Sequence, residues 1–137
     1  MVRLFLIFTC VILLTANIFV RTRSPENAEV YFITPVDGET VINPVVLKFG
    51  LKNMRAVPLW INEENTGHHH LIIDTVLPNL NLPIPKDDQH IHYGQGETET
   101  ELTLPSGQHT LQLLLADSSH IPHDPPVYSE PISITVE

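Results

Sequence analysis

Gly67-His68-His69-His70-Leu71-Ile72-Ile73-Asp74 sets three imidazoles at the head of an apolar triplet, and that run reads as a β-strand. On an extended strand alternate side chains share a face, with Cβ atoms about 7 Å apart. His68 and His70 therefore point one way, and His69 points the other way with Leu71 and Ile73. His69 is expected to face a core, and His68 with His70 is the natural ligand pair.

The same two-residue period recurs on both sides of this stretch. Downstream, residues 108–117 form the strongest strand, with His109, Leu111, Leu113 and Leu115 on one face. Residues 97–104 place Glu97, Glu99 and Glu101 on a wet face and Thr98, Thr100, Leu102 and Leu104 on the other. Residues 131–136 read as the last strand. Upstream, residues 29–34 are a strand closed by Pro35 and the turn Asp37-Gly38, and residues 45–51 are a second, with Lys48 opposite the apolar positions. Residues 56–61, interrupted by Pro58, suit a sheet edge.

The connections are informative too. Residues 75–89 contain Pro78, Pro83 and Pro85, too many for a helix, and a loop of that length is often functional or a contact surface. Residues 118–130 form a polar loop carrying His120 and His123. No segment after residue 24 has helical periodicity. The expected fold is all-β: an immunoglobulin-like antiparallel β-sandwich, lacking that fold's disulfide and preceded by one N-terminal hydrophobic helix.

The 137 residues leave room for one domain, and the leader stands outside it. Residues 1–23 read as a signal peptide or signal anchor, residues 24–28 as a short tether, and residues 29–137 as the sandwich. Leu14-Thr15-Ala16 offers only one good small position to a signal peptidase. The apolar run from 2 to 20 approaches the roughly 20 residues that a membrane-spanning helix needs. Arg21 and Arg23 outnumber Arg3, so the positive-inside bias does not fix an orientation. The expectation is a domain in the bacterial periplasm or at the cell exterior, anchored to the inner membrane, or secreted if the leader is cleaved.

From Ser24 onward the basic residues are Lys48, Lys52, Arg55 and Lys86, against all 16 acidic ones. Nucleic acid and anionic lipid are excluded as natural partners of such a surface. The single cysteine, Cys10, lies in the leader, so the domain has neither an internal disulfide nor a thiolate ligand.

Besides the triplet, the chain carries His90, His92, His109, His120 and His123. His90 and His92 repeat the i, i+2 geometry of His68 and His70. Brought together, His68, His70, His90 and His92 would form a nitrogen site suited to Zn²⁺ or Cu²⁺. His69, His120 and His123 are secondary candidates. With no thiolate and only Met54 after Met1, a sulfur site for Cu⁺ is disfavoured. Asp74 and Asp117 are placed to orient imidazoles from behind.

Each histidine also has a plainer reading. His109 reads as a hydrogen-bonded core residue, His69 as core, and His120 and His123 as residues that fix a turn. The triplet itself would serve as polar surface on an exposed strand.

Catalytic signatures are absent from the sequence. It contains no Gly-x-Ser-x-Gly, no helical histidine pair with a glutamate between, no glycine-rich phosphate loop and no cysteine nucleophile in the domain. The expectation is therefore not an enzyme.

Gly-His-His-His-Leu-Ile-Ile-Asp, His-Ile-His-Tyr-Gly-Gln-Gly-Glu-Thr-Glu, Leu-Pro-Ser-Gly-Gln-His-Thr-Leu-Gln-Leu-Leu-Leu-Ala-Asp and His-Ile-Pro-His together resemble a family of small exported bacterial domains of unknown function. The resemblance covers residues 29–137. It implies an exported β-sandwich, usually behind a signal peptide, and brings no established activity. Two functions are in view: a tethered extracytoplasmic module binding divalent copper or zinc, and a structural accessory subunit of a larger membrane protein complex.

Overall fold

The computed structural model describes residues 19–137, and the strands in it follow the alternation of the sequence. They are β1 (Glu29–Thr34), β2 (Thr40–Val41), β3 (Val45–Lys52), β4 (Arg55–Ala56), β5 (Thr66–Ile73), β6 (His90–His92), β7 (Glu99–Leu102), β8 (Gly107–Ala116) and β9 (Ile132–Val136). Among the described residues there is no helix. The expected N-terminal hydrophobic helix, and with it the choice between signal peptide and anchor, lies outside the described residues.

Two sheets form. The smaller has the order β1-β3-β7, and the larger runs β2-β9-β8-β5-β4, with β6 also paired to β5. The outer edge of β5 is shared by two partners: β4 covers Thr66 and Gly67, and β6 covers His70 to Ile72. The sheets are mixed rather than purely antiparallel as expected, because β2 runs parallel to β9 and β4 parallel to β5. Both exceptions are two-residue edge strands. Pro58, two residues after β4, has no N–H to donate, which helps to keep that strand short.

The period of two decides what each sheet buries. Val45, Leu47 and Phe49 of β3 face Leu71 and Ile73 of β5, Leu111, Leu113 and Leu115 of β8, and Ile134 and Val136 of β9 in one core between the sheets. A smaller second cluster lies on the opposite face of the larger sheet, where Ile72, Leu114 and Ala116 meet Ile84, Leu77 and Leu80. The last three belong to the proline-rich loop 75–89, which lies along β5 and β8. Removing each fully buried leucine, isoleucine, valine or phenylalanine among them from water contributes roughly 1.5–3 kcal/mol.

The loop after β8 is held from two directions. Its Ile121 carbonyl accepts from Asp117 N at 3.0 Å, and Ile84 N of the proline-rich loop donates to His120 O at 2.8 Å. On its other side runs the segment that enters the domain. Thr22 O accepts from Asp124 N at 2.9 Å, Ser24 N donates to Asp124 O at 3.1 Å, and Arg21 donates to the carbonyls of Pro122 and His123. Ser24, expected in a tether, is buried at 8% exposure.

Candidate metal centre

β5 is buried on both faces along its whole length, although its histidines also suited an exposed strand. Its central position explains this: β8 covers one edge, β6 and β4 cover the other, and a packed layer lies on each face. His69 points inward, as its parity requires, with its ring 5.1 Å from that of Phe49 in the intersheet core. Burial lowers its pKa to about 4, and neither ring nitrogen has a hydrogen-bond partner.

His68 and His70 point to the other face and stack with ring centroids 4.8 Å apart. The antiparallel register pairs His70 with His92 across β5 and β6, which sets those rings 5.1 Å apart. His68 lies 4.8 Å from His92 in the same measure. Ligand atoms of these three histidines all fall within 4.8 Å of one another, and the group contains no carboxylate.

A fourth imidazole arrives from the loop after β8. The ring of His120 lies 5.1 Å from His68, 6.0 Å from His70 and 4.6 Å from His92. Its backbone is left-handed, with φ at +62°, a conformation that costs a residue with a Cβ about 1 kcal/mol or more. Asp117 stabilises that turn. Its Oδ1 accepts from Ser119 N at 2.8 Å and Ile121 N at 3.1 Å, while Oδ2 accepts from Thr22 Oγ1 at 2.7 Å. Asp117 thus acts on the loop that carries His120 and accepts from no histidine ring.

The remaining histidines lie elsewhere. His90 is turned away to Asp87, Nδ1 to Oδ1 at 2.6 Å, and that bond lowers the Asp87 pKa. His123 is fully buried, with Nε2 3.0 Å from Thr66 O, and burial lowers its pKa. His109 lies between Asp74 Oδ2 and Pro105 O, each at 2.7 Å; the Asp74 bond raises its pKa. The structure therefore brings together His68, His70, His92 and His120, and leaves out His69, His90, His109 and His123.

The electrostatics favour neutral rings. Burial lowers the pKa of His68 to about 3 and of His70 to about 2, and the neighbouring imidazoles add to both shifts. His92 is lowered by burial and then by His120. Neutral imidazoles offer lone pairs without first losing a proton, which is the state a metal requires. His68 Nε2 and His70 Nδ1 are buried with no hydrogen-bond partner. An orphaned buried nitrogen is costly in a folded protein; His69 and His123 carry such nitrogens too, but at His68 and His70 they stand beside other imidazoles, where one shared ligand would satisfy both.

The spacings suit a metal with small adjustments. A point equidistant from three atoms at the 4.8 Å limit is about 2.8 Å from each, whereas Zn–N bonds are about 2.0–2.1 Å. Each ring has under about 1 Å to close. His92 Nε2 and His120 Nε2, at 3.1 Å, already stand near the roughly 3.3 Å edge of a tetrahedral nitrogen site.

A family model described as "Domain of unknown function (DUF4399)" matches residues 47–137, a span that includes all four clustered histidines. No curated protein and no solved structure matches the chain.

Proposed function

We propose that this chain, which belongs to the DUF4399 family of domains of unknown function, is an extracytoplasmic binding module for one divalent metal ion, Zn²⁺ or Cu²⁺. His68, His70 and His92 would hold the ion, with His120 as the fourth nitrogen. The observation that carries this reading is the convergence of His68, His70 and His92, with His120 beside them, on one partly buried place, where two of their nitrogens are unpartnered. Bound there, the ion would supply a Lewis-acidic centre held by neutral ligands. The residues themselves supply orientation: β5 and β6 fix three rings by register, and Asp117 fixes the turn of the fourth.

The test is metal content. Protein stripped with a chelator and reloaded at neutral pH is expected to retain one equivalent of Zn²⁺ or Cu²⁺ after desalting. Clearly substoichiometric retention of both ions would sink the reading.

The apolar leader supports placing the domain in the periplasm or at the cell exterior, anchored to the inner membrane or secreted. Intact-mass measurement of protein from a membrane fraction tests this, since a retained anchor adds the mass of the leader. The two sheets around one core support an immunoglobulin-like sandwich, for which strand connectivity in an experimental structure is the check.

A structural accessory subunit is the second reading, favoured by Trp60. This residue is 62% exposed just beyond edge strand β4, and aromatic side chains are enriched at interfaces. Co-purification with a membrane complex in mild detergent is expected on that reading; purification as a lone species opposes it.

A further inference from the structure

One side of the histidine cluster opens into a cavity of about 430 Å³. His70, His92 and His120 line it, together with apolar Leu59 and Ile84 and with Lys86. Pro83 and Pro85 flank Ile84 and stiffen that wall. Lys86 forms no ion pair among the described residues, whereas Lys48, Lys52 and Arg55 each pair with a glutamate.

Charge balance makes this arrangement informative. A divalent ion held by neutral imidazoles keeps its full double charge at the partly buried end of the cavity, and exposed Lys86 adds a positive charge at its rim. Positive charge gathered in a partly desolvated place is stabilised by an anion close by. Asp117 and Glu97 are the carboxylates that act on the cluster, and neither lines the cavity. The cavity lining itself holds no carboxylate, and the cavity gives an anion access from outside.

We infer that the cavity binds a small organic carboxylate, which joins the imidazoles on the metal as a further ligand and lies between it and Lys86. The apolar wall selects the organic class: Leu59, Ile84 and the prolines offer a short hydrocarbon body a dry surface, which an inorganic oxyanion would not use. This inference rests on the metal reading of the same site.

The test uses the full chain loaded with Co²⁺, whose visible absorption reports the coordination of the ion, and propionate as the probe at neutral pH. A saturable change in the cobalt bands is expected, with inorganic phosphate producing a weaker change at the same concentration. Lys86→Met is expected to raise the half-saturating propionate concentration about tenfold, the scale of one ion pair between surface and interior. Lys86→Glu should raise it further. Cobalt bands that do not respond to propionate, or a Lys86→Met protein that titrates like the unaltered one, would overturn the carboxylate site while leaving the metal site standing. Phosphate acting more strongly than propionate would overturn the organic class. Failure to take up cobalt, together with substoichiometric retention of Zn²⁺ and Cu²⁺, would bring down both readings.

Discussion

His92 Nε2 and His120 Nε2 lie 3.1 Å apart, one on a three-residue strand and the other on a left-handed residue 28 positions later. Without metal, one of the two must donate its N–H to the other; with metal, both present lone pairs to the ion. Replacing either ring by alanine is expected to weaken Zn²⁺ binding by about tenfold or more, judged against the 10–100-fold effects of perturbing the groups that merely support ligands. His90→Ala, which removes a residue bonded to Asp87, should leave the affinity nearly unchanged. Competition titrations with a chromophoric chelator read all three. Equal losses for His90→Ala and His92→Ala would refute the assignment.

The depressed pKa values make the metal-free protein sensitive to acid. His68, His69 and His70 would each bind a proton near pH 6.5 when unfolded but not until about 3, 4 and 2 when folded. Below pH 6.5 the unfolded state therefore takes up protons that the folded state refuses, and stability falls as pH falls. The slope approaches roughly 1.4 kcal/mol per pH unit for each such group. His109 opposes this, since its raised pKa gives a contribution present below 6.5 and lost as pH rises through the folded value. His92 and His123, also lowered, act in the same direction as the three, so with His109 alone opposing them the net trend is loss towards acid. Urea midpoints measured between pH 7.5 and 5 should decline; a flat profile would contradict the burial of neutral rings.

Gly94 is needed for its lack of a side chain. A Cβ there would meet His92 Cε1 at 2.3 Å and Nε2 at 2.7 Å, with Leu59 Cδ2 at 2.8 Å. Gly94→Ala is expected to push the His92 ring from its place and lower metal affinity without altering any ligand. Metal retention alongside a thermal melt separates displacement from unfolding: retention should fall more than the melting temperature does.

Asp117 links the entering segment to the loop of His120. Truncating it to alanine strands two loop amides and the Thr22 hydroxyl, for an expected loss of about 2 kcal/mol or more. Thr22→Val removes only one of the three bonds and should cost less. Both should reduce metal affinity in the order of their effect on stability, measured by denaturation and chelator competition. A destabilised Asp117→Ala with full affinity would show that His120 is not a ligand.

The long strands were legible because their alternation extends over several residues. Glu29–Thr34 appears as read, and Val45–Lys52, Gly107–Ala116 and Ile132–Val136 lie within a residue or two of their expected bounds. Two-residue edges such as Thr40–Val41 have no room for a period and leave no comparable trace. At the site, parity separated His69 from His68 and His70, and i, i+2 spacing placed His92. The same spacing also proposed His90, which a local turn captures through Asp87. His120 ranked below it because a loop carries no periodicity. The available clue was Asp117 placed just ahead of Ser119 and His120, a side chain able to bond the backbone two and four residues on. That His68 and His70 are covered depends on where loop 75–89 lies, which no local pattern encodes.

The strap formed by Arg21, Thr22 and Ser24 along residues 122–125 fixes where the chain enters the domain, and that entrance adjoins the loop of His120. Only residues 19 and 20 precede the strap in the described chain, and three extended residues reach at most roughly 11 Å. A leader kept in a bilayer would suspend the domain with its histidine cavity close to the lipid headgroups. Solutes would then reach the metal through the thin layer of water at the membrane, and a neighbouring membrane protein could hand over an ion without releasing it to bulk solution. Cleavage after Ala16 would leave the strap in place and set the same cavity free to diffuse.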